Sequence, residues 1–236
     1  MKRIILMMLR NIFFLPYAWI KLCRYAKHAD DYTDEERYEL LQYIDGKANK
    51  GGRINIEVHG VENIPKENGF MFFPNHQGLY DVLAIIQASP IPFSVVMKKE
   101  LQNIPGLKQV FKCMKALAID REDIKQSMKV IHQVTEEVKN GHNYLIFAEG
   151  TRTKNPNAVG EFKGGSFKSA IKAKCPIVPV VLIDAYKAFD THSIKPLTVQ
   201  VHFLEPMTYE MYGQMKSNEI ASLVKRRIEK VIAENE

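Results

Sequence analysis

The chain has 236 residues, a length that suits one large domain or one domain with a small appendage. Hydrophobic residues make up 46% of it and charged residues 25%, which excludes a largely disordered chain and predicts a sizeable core. The three cysteines, Cys23, Cys113 and Cys175, lie far apart and form no C-x-x-C pair, so we expect a reduced, cytosol-facing protein with neither a disulfide framework nor a zinc site.

The net charge of +6 is concentrated at the N-terminus. Residues 1–29 contain no acidic residue and six basic ones, Lys2, Arg3, Arg10, Lys21, Arg24 and Lys27. Subtracting these six from the 33 lysines and arginines leaves 27 basic residues, which balance the 27 acidic residues of the remainder. A nucleic-acid-binding protein more often spreads basic residues over a folded face, so no nucleic-acid partner is predicted.

The first 27 residues, "MKRIILMMLRNIFFLPYAWIKLCRYAK", predict an amphipathic helix at a membrane surface. The uninterrupted apolar runs are too short to cross a bilayer, which needs about 20 residues. On a helical wheel all six basic side chains fall within an arc of about 120°, opposite a broad apolar face. Such a helix lies in the interface and faces anionic head groups. Pro16 is expected to kink it or split it in two.

Three other interpretations of this segment were weighed. A signal peptide is disfavoured because Arg10 interrupts the apolar stretch and no A-x-A-like cleavage site follows. A single tilted span with Arg10 reaching the interface is second best. A soluble core helix would not explain six cations without an acid. We therefore predict peripheral or monotopic attachment through residues 1–27 to the cytoplasmic face of the cell membrane, with the phospholipid surface as a partner.

A second helix is predicted over residues 33–47, followed by a hinge. Thr33 and Glu36 fit a capping box, and Gly46 is a candidate stop. The sequence "NKGG", Asn49 to Gly52, is the one obvious hinge. These features predict two units: an N-terminal helical membrane-interface segment, residues 1–50, and an α/β domain, residues 51–236.

From residue 53 onward, short β-rich runs alternate with helical patterns. The strand candidates are "INIEVHGV", "FMFFP", "FSVVMK", "ALAID", "YLIFAE", "IVPVVLI" and "TVQVHFLE". The helical candidates cover residues 81–88, 102–114, 124–138, 162–174 and 218–233. Continuous apolar strands separated by helices indicate an α/β fold, with a mixed, mostly parallel sheet of about seven strands covered by helices. Functional groups in such sheets collect at the carboxyl ends of strands.

The first polar cluster is "NHQGLYD", which directly follows the apolar run "GFMFFP". On an ideal helix, positions five apart differ by about 140°, so His76 and Asp81 would not share a face. They can touch only if His76 lies in the loop after the strand and Asp81 in the first turn of the next helix. Gly78 permits the required bend. The pair is either a base with its orienting carboxylate or a polar turn that contains both.

Two further clusters also follow predicted strands. In "FAEGTR", Glu149 and Arg152 flank Gly150 and Thr151, whose backbone N–H groups can point into a site that suits a phosphate or a carboxylate. The alternative is a surface turn with a local ion pair of little energetic value. The remaining cluster supplies basic residues, Lys98, Lys99 and Arg121, each of which could be ordinary solvated charge.

Four blocks in order from Pro74 to Val180 resemble the glycerophospholipid acyltransferases, a family that includes 1-acylglycerol-3-phosphate acyltransferase. "NHQGLYD" matches an N-H-x-x-x-x-D block, and "KKELQNIPGLKQVFKCMKALAIDR" matches a block that opens with lysine and closes in I-D-R. "FAEGTRT" resembles F-P-E-G-T-R-S, with Ala148 in place of Pro and Thr153 in place of Ser, and "CPIVPVVL" matches the last block. Four ordered blocks over about 110 residues are far more specific than any one.

The resemblance implies acyl transfer from a thioester, acyl-CoA or acyl-ACP, to the sn-2 hydroxyl of 1-acylglycerol 3-phosphate (lysophosphatidate), giving phosphatidate. His76 would be the general base and Asp81 its orienting group, because histidine titrates near neutral pH. The substrate supplies the nucleophile, so no enzyme serine, metal or other cofactor is expected.

By the same resemblance, Arg121 and Arg152, and then Lys98, would bind the phosphate. Glu149 would accept a hydrogen bond from a glycerol hydroxyl, and backbone donors near Gly150 and Thr151 would help. Three alternatives stay open: an acyltransferase of another lysophospholipid or of glycerol 3-phosphate, a non-catalytic anionic-lipid-binding protein, and a lipid hydrolase, for which no serine or metal nucleophile site was found.

Overall fold

The computed structural model describes residues 2–104, 106–120, 122–153 and 157–235. The strands are β1 (Ile54–His59), β2 (Met71–Pro74), β3 (Ser94–Lys98), β4 (Leu117–Ile119), β5 (Tyr144–Leu145), β6 (Ile177–Ile183) and β7 (Leu197–Phe203). The α-helices are α1 (Lys2–Arg10), α2 (Leu15–Lys27), α3 (Asp34–Gly52), α4 (Asp81–Ala88), α5 (Leu107–Cys113), α6 (Ile124–Lys139), α7 (Lys168–Ala173), α8 (Tyr209–Tyr212) and α9 (Ser217–Asn235). Short 3-10 turns cover 99–103 and 164–167, at the starts of two of the predicted helices.

The seven strands form one sheet in the order β1-β7-β6-β2-β5-β3-β4. Five neighbouring strands, from β6 to β4, are parallel, whereas β7 runs antiparallel to β6 and β1 runs parallel to β7. The register at the centre pairs Phe72 of β2 with Val178 of β6 on one side and Leu145 of β5 on the other. The predicted α/β fold with a mostly parallel sheet is confirmed.

Helices cover both faces of the sheet, which is why the central strands are apolar at every position. Phe72 points into the core beneath α3, α4 and α5, while its neighbours Met71 and Phe73 point into the core beneath α6, α7 and α9. All three side chains have no solvent exposure. The period-2 alternation of a strand therefore distributes β2 between two cores, and no position is left for a polar residue until the strand ends.

The N-terminal segment forms two helices, α1 and α2, whose axes bend by 101° at the break between them. Pro16 stands at the start of α2, where it needs no backbone partner, so the predicted split is confirmed. The predicted single cationic arc is wrong for Arg3, whereas Arg10 is exposed. Arg3 is fully buried and donates to the carbonyls of Gly52 (2.6 Å) and Lys195 (2.9 Å), and Arg10 donates to the carbonyl of Gly51 (3.4 Å).

Exposed apolar residues of α1, α2 and the turn between them form a group that we call the N-terminal apolar surface. It consists of Ile5, Met8, Leu9, Ile12, Phe13, Tyr17, Trp19 and Ile20, and Phe13 is 97% exposed. Within the described residues, no helix alone has the length and apolar character to cross a membrane, and only α1 and α2 taken as a bent pair meet those two criteria.

Helix α3 corrects the predicted hinge. The capping box of Thr33 and Glu36 is present, but the helix continues through Gly46 and "NKGG" to Gly52. Its C-cap residue, Arg53, adopts the left-handed backbone conformation. Packing overrides the low helix propensity of the glycines here, because the helix lies between α1 and α4. The boundary predicted between residues 50 and 51 therefore falls inside a helix, and the N-terminal helices share a core with the sheet.

A buried chain of polar groups links α3 to the start of α4. The Tyr80 hydroxyl donates to Asn49 Oδ1 (2.6 Å), and Asn49 Nδ2 donates to Asp45 Oδ2 (3.0 Å). Burial raises the pKa of Asp45 to about 8, against the smaller lowering effect of the Asn49 hydrogen bond. Asp45 is thus protonated in the native protein near neutral pH.

Asp45→Asn should remove a pH-dependent loss of stability. In the unfolded chain an aspartate titrates near 3.8, so between about pH 4 and pH 8 the native state holds a proton that the unfolded state has lost. The free energy of unfolding of the wild type should therefore fall across this window, and that of Asp45→Asn should fall much less. Urea unfolding at four pH values measures it. The control is Glu39→Gln, an exposed site on the same helix; equal slopes for all three proteins would contradict the assignment.

Candidate active site

His76 and Asp81 meet at the carboxyl end of β2. The Nδ1 atom of His76 lies 2.8 Å from Oδ2 of Asp81. His76 stands in the loop that leaves β2 and Asp81 is the first residue of α4, which is the arrangement that the spacing requires. Because Nδ1–H donates to the carboxylate, Nε2 is the ring nitrogen that can accept a proton. The predicted contact is confirmed.

The Asp81 carboxylate is fully buried and is held by backbone donors as well as by His76. The N–H of Gln77 donates to Oδ2 (2.6 Å), and the N–H of Gly78 reaches both oxygens (3.0 and 2.9 Å). Burial raises the pKa of Asp81, while the hydrogen bonds from His76, Gly78 and Gln77 oppose that rise by stabilising the anion. The loop is folded around a negative charge that has no contact with solvent.

Phe147, which the sequence did not identify as a site residue, orients the imidazole ring. Its ring stacks on that of His76 with centroids 4.0 Å apart and planes 26° apart. One face of the imidazole is thus packed against an aromatic ring and one edge is hydrogen-bonded, so its orientation is fixed while the side chain remains 21% exposed. Only the position of Phe147, directly before "AEGTR", could have suggested this role.

Two buried amides anchor the loop that carries His76. Asn75 exchanges two hydrogen bonds with the backbone of Leu182 on β6 (3.0 and 2.8 Å). Gln77 accepts from the N–H of Ala185 (2.8 Å) and donates to Asn157 Oδ1 (2.6 Å). Sequence reasoning assigned neither a role, although both lie inside the "NHQGLYD" block, because only the fold shows which backbone groups they reach.

Glu149 has a structural role that the sequence did not predict. It is buried, and its two oxygens accept the backbone N–H groups of His76 (2.7 Å) and Gly160 (2.9 Å). Burial raises its pKa, against the lowering effect of these two hydrogen bonds. Glu149 therefore joins the "FAEGTR" turn to the loop that carries His76. Its contact with a glycerol hydroxyl stays a prediction.

The cations of the site stand at its rim. Arg152 is half exposed, and its Nη1 lies 3.7 Å from Oδ1 of Asp190. Lys98, at the end of β3, is also half exposed and pairs with Glu100 at 2.8 Å. Neither carboxylate partner is buried, so an anionic ligand can compete for both cations. The third predicted cation, Arg121, lies outside the described residues.

The turn after β5 places backbone groups differently from the prediction. Gly150 adopts φ of +74°, and its N–H donates to the carbonyl of Phe147 (3.2 Å) within the turn. That N–H group is therefore already used, contrary to the expectation that it points into the site. Thr151 follows it and lines a cavity beside the imidazole.

A cavity of about 360 Å³ opens beside the imidazole. Five of the eight predicted site residues line it: His76, Lys98, Gly150, Thr151 and Arg152. Asp81 and Glu149 lie buried behind it, and Gly78, which was predicted only to permit the bend of the loop, also lines the wall.

The rest of the cavity wall is apolar. It is built from α4, β3 and the segment from the 3-10 turn at 99–103 through α5, with side chains that include Leu83, Val95, Leu101, Val110 and Phe111. A pocket of this size, lined mainly by apolar side chains with a few polar groups at one end, is typical of a site for a small or chain-like ligand. The polar end is the one that holds the imidazole.

Comparison with known proteins identifies the family. The acyltransferase family model matches residues 55–183, which is more than half of the chain and contains the whole loop from Asn75 to Asp81. The chain belongs to the acyltransferase family. The region matched ends at the last residue of β6, so it covers the parallel strands that carry the site.

Individual relatives agree with this assignment. A Mycoplasma pneumoniae protein named "Probable 1-acyl-sn-glycerol-3-phosphate acyltransferase" is 25% identical over 94% of this chain and 88% of its own. The 1-acyl-sn-glycerol-3-phosphate acyltransferase of Borreliella burgdorferi is 28% identical over 75% of this chain and 71% of its own. The crystal structure of PlsC, the 1-acyl-sn-glycerophosphate acyltransferase of Thermotoga maritima, covers 98% of this chain and 95% of its own, with a TM-score of 0.78 and 22% identity, and so shares the fold.

Proposed function

We propose that this acyltransferase transfers an acyl group from a thioester, acyl-CoA or acyl-ACP, to the sn-2 hydroxyl of 1-acylglycerol 3-phosphate, producing phosphatidate. The observation that carries the proposal is the His76–Asp81 pair at the polar end of an apolar cavity whose rim holds Arg152 and Lys98. The names of the relatives support the same acceptor for this chain.

In the proposed reaction His76 acts as the general base. Its Nε2 takes the proton of the sn-2 hydroxyl as the hydroxyl oxygen attacks the thioester carbonyl carbon. A carbon–oxygen bond forms, the carbon–sulfur bond breaks, and the imidazolium returns the proton to the departing thiolate. Asp81 holds the imidazole in the tautomer that has Nε2 unprotonated and stabilises the imidazolium between the two proton transfers.

The cations at the rim provide for the phosphate of the acceptor. A guanidinium can bind two phosphate oxygens at once, whereas an ammonium acts as a point charge, so Arg152 is the stronger candidate and Lys98 the weaker. Arg121 is proposed as a third phosphate ligand on the resemblance of its block alone. The apolar wall beyond the imidazole would hold an acyl chain.

His76→Ala should abolish transfer without unfolding the protein. Loss of a positioned general base typically lowers the rate by 10²–10⁴-fold, so we expect at least a hundredfold fall in kcat. Asp81→Asn should lower kcat as well, because it disturbs the tautomer. The measurement is release of free thiol with lysophosphatidate as acceptor, together with thermal unfolding of each variant.

The chain offers a matched control for this pair. His142 Nδ1 lies 3.2 Å from Asp34 Oδ2 at an exposed site outside the catalytic cavity. His142→Ala should keep wild-type kcat. Full turnover by His76→Ala would contradict the assignment of His76 as the base. Assays with other lysophospholipids and with glycerol 3-phosphate would reveal a different preferred acceptor.

Arg152→Ala should weaken use of the phosphorylated acceptor. A hydrogen bond to a charged group contributes about 1.5–3 kcal/mol, which corresponds to a fall in kcat/KM for lysophosphatidate of roughly 10–100-fold. Arg152→Lys should retain part of this because it keeps the charge. Arg226→Ala, at an exposed position of α9, is the control. An unchanged dependence on acceptor concentration in Arg152→Ala would assign that arginine a merely structural role.

We propose further that the N-terminal apolar surface attaches the protein to the cytoplasmic face of the cell membrane. Eight large apolar side chains together are more than an isolated soluble surface usually exposes, and such patches mark interaction sites. Lys21 and Arg24 on α2, together with Lys27, can add attraction to anionic lipids. Seated in this way, the enzyme could take its acceptor from the bilayer.

Phe13→Ser should weaken binding to vesicles that contain anionic lipid. Burial of a phenylalanine contributes about 1.5–3 kcal/mol, so the partition coefficient should fall by roughly 10–100-fold. Deleting residues 1–27 is a poorer test, because Arg3 and Leu22 are buried in the fold. Met211→Ser, a 63% exposed residue of α8, is the control. Equal vesicle binding by wild type and Phe13→Ser in a co-sedimentation assay would exclude this surface as the anchor.

A further inference from the structure

A second cavity, of about 290 Å³, lies on the other face of the sheet. Its floor is formed by strand and loop residues such as Ile119 and Ile146, and its side by Val130 and Val134 of α6. The segment from Lys163 into α7 closes it. Nothing in the catalytic mechanism above uses this space.

The second cavity adjoins the catalytic cavity at a shared wall, which we call the junction. Three residues line both: Val96 of β3, Phe147 and Gly150. Because the Phe147 ring stacks on His76, the junction lies beside the proposed base. A molecule that enters through the second cavity would thus present its end to the place where the reacting carbonyl group must lie.

The second cavity also contains an unused hydrogen-bonding group. Ser169 of α7 lines it, is 1% exposed, and its Oγ has no hydrogen-bond partner among the described residues. Other helical hydroxyls in this protein donate to the carbonyl four residues before them, as Thr135 and Ser222 do. A buried hydroxyl without a partner is costly, so its retention points to a ligand that carries an amide or hydroxyl group.

The mouth of the second cavity is both apolar and basic. On α6, Ile124 and Met128 are 74% and 63% exposed, and they flank the lining residue Ser127 at the end of the sheet that carries His76. The exposed Lys163 lines the cavity itself. Within residues 124–133 there are two lysines and no acidic residue. These groups suit a ligand that has an amide or hydroxyl group for Ser169 and a phosphate at its outer end for Lys163.

From this arrangement we infer that the second cavity binds the phosphopantetheine arm of the acyl donor. The inference rests on the proposed function. The arm is common to acyl-CoA and to an acylated carrier protein, so the site serves either source. The acyl chain lies in the catalytic cavity, the arm lies in the second cavity with an amide on Ser169, and Lys163 meets the phosphate. The thioester between them stands at the junction next to His76, and the thiol product leaves through the second cavity.

Donor kinetics test the site. Three donors are compared with lysophosphatidate as acceptor: an acyl-CoA, the same acyl group on carrier protein, and acyl-pantetheine, which has no phosphate. Ser169→Ala removes the hydroxyl at nearly constant volume and should raise KM about fivefold or more for all three donors. Because the hydroxyl has no partner in the described fold, the melting temperature should not fall. The KM for lysophosphatidate should stay at its wild-type value.

Lys163→Ala tests the contact with the phosphate of the arm separately from the contact with Ser169. It should raise KM for acyl-CoA and for the acylated carrier protein but leave acyl-pantetheine unchanged. Lys168→Ala is the matched control, an exposed lysine five residues away that does not line the cavity. The wild-type ratio of kcat/KM for acyl-CoA and the carrier-bound donor then identifies which source the enzyme prefers.

Ile131→Trp fills the second cavity from its partly exposed edge and should raise KM for every donor. If this variant does not fold, Ser169→Ala and Lys163→Ala test the inference without it. Donor constants at wild-type values, or a change in the acceptor constant instead, would overturn the inference while leaving the proposed function intact. The proposed function would be contradicted, and the donor site would not, if the wild-type protein transferred from none of the three donors but still bound CoA in calorimetry.

Discussion

The burial of the Asp81 carboxylate is the constraint on which the site depends. A charge without solvent contact is unfavourable unless donors surround it, and here they come from the imidazole of His76 and the N–H groups of Gln77 and Gly78. Those donors belong to consecutive residues, so satisfying one carboxylate fixes the course of the whole loop. The imidazole is therefore placed by the same hydrogen bonds that make the buried charge tolerable, and the proposed catalysis and the local folding have a common cause.

The parallel part of the sheet brings the other groups to the same edge. Strands β2, β3 and β5 run in one direction, so residues at their carboxyl ends meet although they are far apart in sequence. These residues are His76, Lys98 and the turn up to Arg152. Glu149 then ties two of these strand ends together through the backbone of His76. The cations need no such fixing, since a phosphate can order a half-exposed guanidinium when it binds.

Structural features that depend on neighbouring residues along the chain could be predicted from the sequence, whereas features that depend on tertiary packing could not. Short β-rich runs predicted all seven strands, and the spacing of His76 and Asp81 allowed only one way for them to meet. The roles of Asn75 and Phe147 depend on partners more than 70 residues away, which no local pattern reveals. The helical wheel failed at Arg3 for the same reason, because it placed every cation in solvent, whereas the carbonyls of Gly52 and Lys195 accept hydrogen bonds from that guanidinium.

The buried Arg3 also decides how the N-terminal helices can take part in the proposed reaction. It joins α1 to the end of α3, and α2 packs on α5, where the thiol of Cys113 contacts the carbonyl of Leu22. Helix α5 in turn forms part of the wall of the catalytic cavity. Since "NKGG" is helical, no hinge separates the N-terminal apolar surface from the imidazole, and the height of the imidazole above a membrane would be set by packing. In the proposed reaction a lysolipid therefore has to bring its hydroxyl group to His76, because the fold holds the imidazole in place.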